Sequence, residues 1–182
     1  MMITKPIAKF ISKSGKEIEI HLPSLEKVPE LLTFVNRLTK EDTFLSLTGD
    51  PKTLAEEETW IKNTILNMKA SRSFVCWAIY NSKIVGDCSI NRGGTRDWHV
   101  GKMGLMVDQE FRRDGVGGYL LEYVLSQAKK MDIKIVSLDV FSDNTIAIKL
   151  YEKMGFKKYA LLPNGLYRQN KYSDAIKMYR QL

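Results

Sequence analysis

Residues 111–118 read Phe-Arg-Arg-Asp-Gly-Val-Gly-Gly, a cluster of cations and glycines whose chemistry is that of an anion site. The run before it, 100–107, is apolar and extended. After it Val116, Leu120, Leu121, Val124, Leu125 and Ala128 recur at helical spacing, so the glycines fall where a strand turns into a helix. A helix start leaves its first amides unpaired and carries partial positive charge, and Gly115, Gly117 and Gly118 have no side chains to hold a ligand off the backbone. A phosphate fits such a junction. Arg112 and Arg113 would add charge-assisted hydrogen bonds, and Asp114 would cap the helix, although its negative charge is an awkward neighbour for an anion. Taken alone, the same residues also suit a helix entry whose glycines are kept for packing. Neither Gly-x-x-x-x-Gly-Lys-Ser/Thr nor Gly-x-Gly-x-x-Gly occurs, which removes a Walker nucleotide site and a Rossmann dinucleotide site from consideration.

Further along, Asn144, Ala147, Leu150, Tyr151, Gly155 and Phe156 form a second group. Ala147, Leu150, Tyr151 and Met154 lie at i, i+3, i+4 and i+7 and share one helix face, with Asn144 a natural N-cap and Gly155 a natural C′ residue. By itself Tyr151 reads as a core aromatic. Together the two groups resemble the N-acetyltransferase (GNAT) superfamily. Its acetyl-CoA motif, Gln/Arg-x-x-Gly-x-Gly/Ala, is matched by Arg112-Arg113-Asp114-Gly115-Val116-Gly117. Its Asn-x-x-Ala-x-x-Leu-Tyr-x-x-x-Gly-Phe signature is matched by the second group, in the same order and at similar separation. The resemblance is detailed from His99 to Phe156 and looser as far as Tyr172, Asp174 and Met178. It implies an α/β (α+β) fold with a central mixed, mostly antiparallel sheet of about seven strands flanked by about four helices. The whole of 1–182 would form one domain, with 1–15 as an N-terminal extension or extra hairpin arm.

The resemblance also implies a reaction in which an amine attacks the thioester carbonyl of acetyl-CoA and the coenzyme A thiolate leaves. The family's strand ahead of the cradle, here Leu105, Met106 and Val107, offers backbone groups to the pantetheine arm and thioester; an N–H aimed at the developing oxyanion is worth about 3 kcal/mol. The cradle residues Arg112, Arg113, Asp114, Gly115, Val116, Gly117 and Gly118 would hold the pyrophosphate, and Asn144 and Ala147 would meet the coenzyme A arm. Tyr151 resembles the family's general acid, a phenol of pKa near 10 that stays protonated at neutral pH and serves the leaving sulfur. For the base that deprotonates the incoming ammonium, His99 is the first candidate, with Asp97 and Glu110 behind it; an ordinary strand-end histidine is the plainer reading of His99.

The run from Arg96 to Gly104 resembles a branch acting on small amino compounds, including amino acids and herbicide-like amines, which leans the acceptor toward a small-molecule amine. Acetylation of a protein N-terminus or lysine is the second reading. A non-catalytic coenzyme A-binding regulatory module is the third, and the presence of Tyr151 speaks against it. Acetyl versus a longer acyl donor and monomer versus homodimer stay open. By family analogy residues 39–52 and 163–172 frame the acceptor cleft, where Phe44, Trp60 and Tyr167 could line a pocket or simply pack in the core or at an edge.

The elements that must position these groups are legible in outline. Ile18, Ile20 and Leu22 alternate with Glu17, Glu19 and His21 as a half-buried strand, which residues 7–11 either join as a hairpin arm or precede as an extension. Helices are expected over 24–38 and, capped by Thr53, over 54–68. Strands follow at 74–80, 84–90 and 99–107, then the cradle helix, a strand at 133–141, a helix at 145–154, and strands near 155–161 and 173–179. A chain of 182 residues, 44% hydrophobic, suits a globular core. With no apolar run of membrane-spanning length and no signal-peptide pattern, a cytoplasmic protein without membrane attachment is expected. Cys76 and Cys88 sit in strands as buried free thiols, and no His/Cys spacing points to a metal. The net charge of +7 is spread along the chain without a nucleic-acid motif; it suits attraction of an anionic cosubstrate better than nucleic-acid binding.

Overall fold

A computed structural model describes residues 5–41, 44 and 50–182. In β2 (Glu17–His21) the alternation buries Ile18 and Ile20 completely, and β1 (Ala8–Ile11) pairs with it antiparallel. Residues 8–11 therefore form one arm of a hairpin with β2, and among the described residues the strands number eight rather than about seven. The others are β3 (Ser73–Tyr80), β4 (Lys83–Arg92), β5 (Val100–Val107), β6 (Ile135–Phe141), β7 (Lys157–Arg168) and β8 (Lys171–Gln181). Asn81 and Ser82, both at positive φ, make the two-residue turn from β3 to β4 that matches strand twist. All eight lie in one sheet, ordered β1-β2-β3-β4-β5-β6-β8-β7, and every pair is antiparallel except β5 with β6.

Helices cover both faces. On one side α1 (Val28–Lys40) and α2 (Leu54–Lys69) bury Leu31, Phe34, Leu38 and Ile61 against Trp77, Ile79 and Ile84. A 3-10 turn, Leu25–Lys27, occupies the start expected for α1. Thr53 and Glu56 exchange hydrogen bonds in a capping box that opens α2, a cap worth about 1 kcal/mol. On the other side α3 (Val116–Lys130) and α4 (Thr145–Lys153) set Val116, Leu120, Val124, Ile148 and Tyr151 against Cys76, Cys88 and Leu138.

The sheet is split in its middle. β5 and β6 pair only through Val100↔Ile135, Gly101↔Val136 and Lys102↔Ser137. Beyond that point β5 stays on β4 as far as Val107, and β6 stays on β8 as far as Phe141. Past the split, β5 leads into the glycine loop of α3 and β6 into α4.

At the far edge β7 and β8 run longer than expected, to Arg168 and from Lys171, joined by Gln169 and Asn170 at φ 49 and 58. Pro163, which reads as a strand end, lies where the register shifts between Leu162 and Leu166, the interruption that an in-strand proline requires.

Candidate functional site

Gly115 begins α3 at φ 94, a left-handed conformation costly to any residue with a Cβ, and Arg113 before it also has positive φ. The first amide to donate within the helix is that of Tyr119, to Gly115 O at 3.0 Å, which leaves the amides of Val116, Gly117 and Gly118 at the open end. Val116 is wholly buried and anchors the turn. A Cβ built on Gly117 would stand 3.4 Å from Val107, 3.5 Å from Leu105 and 3.6 Å from Leu150. The free amides therefore sit at the mouth of the opening, between the end of β5 and α4.

Two clamps hold this loop. Asp114 does not cap α3, contrary to expectation: its carboxylate accepts from the Ser14 amide and the Ser14 hydroxyl, both at 2.7 Å, with Lys16 Nζ at 3.8 Å. The Ser14 hydroxyl, backed by the amide and by Lys16, holds the Asp114 carboxyl below the usual carboxylate range. The charge that looked awkward beside an anion is thus matched by the β1–β2 turn. Arg112 is engaged as well. Its Nε donates to Val107 O at 3.0 Å and its Nη2 to Glu41 at 2.5 Å, while Arg37 pairs with Asp108, so the end of α1 grips the other flank. Arg113 is exposed.

The second signature builds the opposite wall. Asn144 Oδ1 accepts from Ala147 N at 3.2 Å and starts α4; Gly155 at φ 83 ends it, with Phe156 N donating to Tyr151 O at 2.9 Å. Tyr151 is 8% exposed, its ring 5.8 Å from that of Phe156. Burial pushes its phenol upward, with the Cys88 thiol adding to the effect. Leu105 and Val107 pack on the α3/α4 side and Met106 on the α1/α2 side. Strand backbone groups alternate direction, so those of residues 103–107 not bonded to β4 point into the opening.

The structure does not bring His99 to this place. It stands at the start of β5, where its carbonyl takes the amides of Lys134 and Ile135, and an extended chain of six residues, about 20 Å, separates it from Leu105. Asp97 lies at the same closed end, its carbonyl bonded to Val100 N, and Glu110 is exposed in the turn before the cradle. A carboxylate that the sequence reading passed over is better placed. In β6 Val136, Leu138 and Val140 enter the α3/α4 core, so Ser137, Asp139 and Phe141 face the other way. Asp139 sits past the last β5–β6 pair, with Lys102 Nζ at 2.8 Å. Its signal in the sequence was a lone acid inside an apolar strand, out of phase with the core positions. A second acid nearby, Asp87 on β4 opposite Met106, is 3% exposed and accepts from Trp77 Nε1 at 3.0 Å. Burial, opposed by that hydrogen bond and reinforced by Glu57, pushes its carboxyl up to about 7.

Of the suggested lining residues, Phe44 meets the end of β6: its ring is 5.7 Å from Phe141, and the Arg168 guanidinium lies 4.2 Å over it. Trp60 is on the outer surface of α2, and Tyr167 is exposed beside Tyr172. The rest of the expected acceptor loop, 42–43 and 45–49, lies outside the described residues. Both cysteines are free and buried. Among the described residues no group of three His, Cys, Asp or Glu could hold a metal, and no helix is long and apolar enough to cross a membrane.

Comparison with known proteins bears on this geometry. The family model "Acetyltransferase (GNAT) family" matches residues 35–156. The chain is 32% identical over 74 residues to the [Ribosomal protein bS18]-alanine N-acetyltransferase of Escherichia coli K12, covering 41% of this chain and 50% of that enzyme. It is 32% identical over 111 residues to L-amino acid N-acetyltransferase AaaT of the same organism, covering 57% and 65%. The chain thus spans about half to two thirds of the length of these curated relatives. An acetyltransferase of the GNAT family from Streptococcus pneumoniae superposes with a TM-score of 0.82 at 26% identity, over 91% of this chain and 99% of that one.

Proposed function

Because the chain belongs to the acetyltransferase (GNAT) family, we propose that it transfers the acetyl group of acetyl-CoA to a primary amine, by direct attack of the amine on the thioester. The observation that carries this reading is the parting of β5 from β6 immediately ahead of the free amides of α3. An opening in a sheet leaves backbone donors and acceptors unpaired, which is tolerable where a ligand supplies their partners. A pantetheine arm has amides of the right kind, and a pyrophosphate matches the amides of Val116, Gly117 and Gly118.

In this reading Arg112, Arg113 and Asp114 shape the cradle: Arg112 and Asp114 through their clamps, Arg113 through its turn and its exposed cation. A backbone N–H among Leu105, Met106 and Val107 polarises the thioester carbonyl and stabilises the oxyanion. Tyr151 gives its proton to the departing sulfur, and its burial keeps that proton in place until then. Asn144 spends Oδ1 on the α4 cap and keeps its Nδ2 donors for the coenzyme A arm; Ala147, beside it, keeps the wall narrow. Asp139 receives the proton of the incoming ammonium, a task for which His99 stands too far along β5. Acetyl-CoA and small amines meet in the cytoplasm, where this reading places the protein.

The acceptor is a small amine, and an amino acid fits best. AaaT is named for amino acids and the bS18 enzyme for a protein N-terminus, so likeness alone leaves the two classes side by side. The test is thiol release from acetyl-CoA measured across free amines, amino acids and N-terminal peptides. Acceptor-dependent release with free amines is the expected result; coenzyme A binding without release under any acceptor would replace the reading with that of a binding module.

A further inference from the structure

Arg168 ends β7 just before the Gln169–Asn170 turn, and two positive-φ residues fix its place. Its side chain is 17% exposed. The guanidinium lies 4.2 Å over the Phe44 ring and 5.8 Å from the Phe141 ring, and Nη2 donates to Asp143 Oδ2 at 3.0 Å. Nε is buried and finds no hydrogen-bond partner among the described residues. That combination is costly for a purely structural arginine: most of a charge is withdrawn from water, while one of its five donors meets a carboxylate and the buried one meets nothing.

The position of the group says what would complete it. Phe141, beneath the guanidinium, is the last residue of β6 and lies past the final β5–β6 pair, on the same strand face as Asp139. Residues two apart on one face of a strand are about 7 Å apart. An α-amino acid with its ammonium hydrogen-bonded at Asp139 and its carboxylate at a guanidinium above Phe141 spans such a gap.

We propose that Arg168 binds the carboxylate of the acceptor, and that the acceptor is a free amino acid. This rests on the acetyl-transfer reading above. A guanidinium offers paired N–H donors to a carboxylate, and the aromatic rings of Phe44 and Phe141 restrict its plane. Asp143, 49% exposed at the rim, holds Arg168 in place without filling the buried side. A peptide N-terminus has an amide where the free amino acid has its carboxylate, and a diamine would bring a second cation toward Arg168. Both are disfavoured.

The experiment compares L-amino acids with their own amides and their decarboxylated amines as acceptors, in the wild-type protein and in Arg168→Gln and Arg168→Lys. For the wild type, kcat/KM falls roughly ten- to hundredfold on loss of the carboxylate, the range for a hydrogen bond to a charged group. Arg168→Gln raises KM for the amino acid and abolishes that discrimination, while KM for acetyl-CoA stays put and residual turnover of the plain amine is retained; Arg168→Lys restores part of it. Equal use of amino acid, amide and amine by the wild type overturns the proposal whatever the variants do, as does discrimination that survives Arg168→Gln. Acetylation of peptides alone overturns it in favour of a protein acceptor. Absence of thiol release with every acceptor overturns the acetyl-transfer reading itself, and this proposal with it.

Discussion

A phenol at 8% exposure, pushed upward by burial, can give a proton at neutral pH but cannot take one. Replacing Tyr151 by Phe keeps the ring against Phe156 and removes the hydroxyl alone. Turnover is expected to fall by roughly 10²–10⁴-fold with KM for acetyl-CoA nearly unchanged, as read from steady-state kinetics across pH. Unchanged turnover across that range rejects Tyr151 as the acid. Asp87 yields a second prediction. Its folded pKa, about 7, lies above the unfolded carboxylate value, so the folded state favours its protonated form. That contribution to stability is fully present below about pH 4 and is lost as pH rises through about 7. Asp87→Asn preserves an acceptor for Trp77 and removes the titration. Thermal melts should show the variant gaining on the wild type from pH 5 to pH 8, by a few degrees at about 2–4 °C per kcal/mol. A difference that does not grow with pH contradicts the assignment. Tyr151 and the glycines were legible in the sequence because short spacing within one helix or turn decides their neighbours. Asp139 and Arg168 were not, because their setting depends on which face of a strand is buried and on a contact between β7 and the end of β6. His99 stands near the cradle in sequence, yet an extended strand turns six residues into about 20 Å.

Elements set the precision of the cradle. The β1–β2 hairpin and the end of α1 grip the loop from opposite flanks, through Ser14 and Lys16 on Asp114 and through Glu41 on Arg112. Asp114→Ala leaves the Ser14 amide and hydroxyl without their acceptor and frees the loop. KM for acetyl-CoA should rise roughly tenfold while kcat changes little. An unaltered KM would show the hairpin to be irrelevant to the site. Gly115→Ala forces a Cβ onto φ 94 and should cost about 1 kcal/mol or more, visible as a lowered Tm. Most element positions followed from periodicity and turn residues, whereas the order of the strands in the sheet came only with the structure. The length of β7 did not, since Pro163 ends a strand in sequence logic and only the β8 ladder around it shows a bulge. The hairpin arm was legible only as one of two options, because four residues with an exposed alternate face carry too little pattern to choose.

At the scale of the whole molecule, a net charge of +7 favours capture of a polyanionic cosubstrate at long range. Raising ionic strength should therefore lower kcat/KM for acetyl-CoA more than kcat, whereas salt-independent kcat/KM would assign the basic balance to the surface alone. The sheet that opens between β5 and β6, the amides at the start of α3 and the buried phenol of α4 form one device only if an anionic thioester lies along them. The most direct measurement is acceptor-dependent thiol release from acetyl-CoA by the wild-type protein and by Gly117→Glu, with coenzyme A affinity measured on both. The account predicts release in the wild type that requires an amine, and loss of both affinity and release when a carboxylate occupies the cradle. Undiminished coenzyme A affinity in folded Gly117→Glu would contradict it.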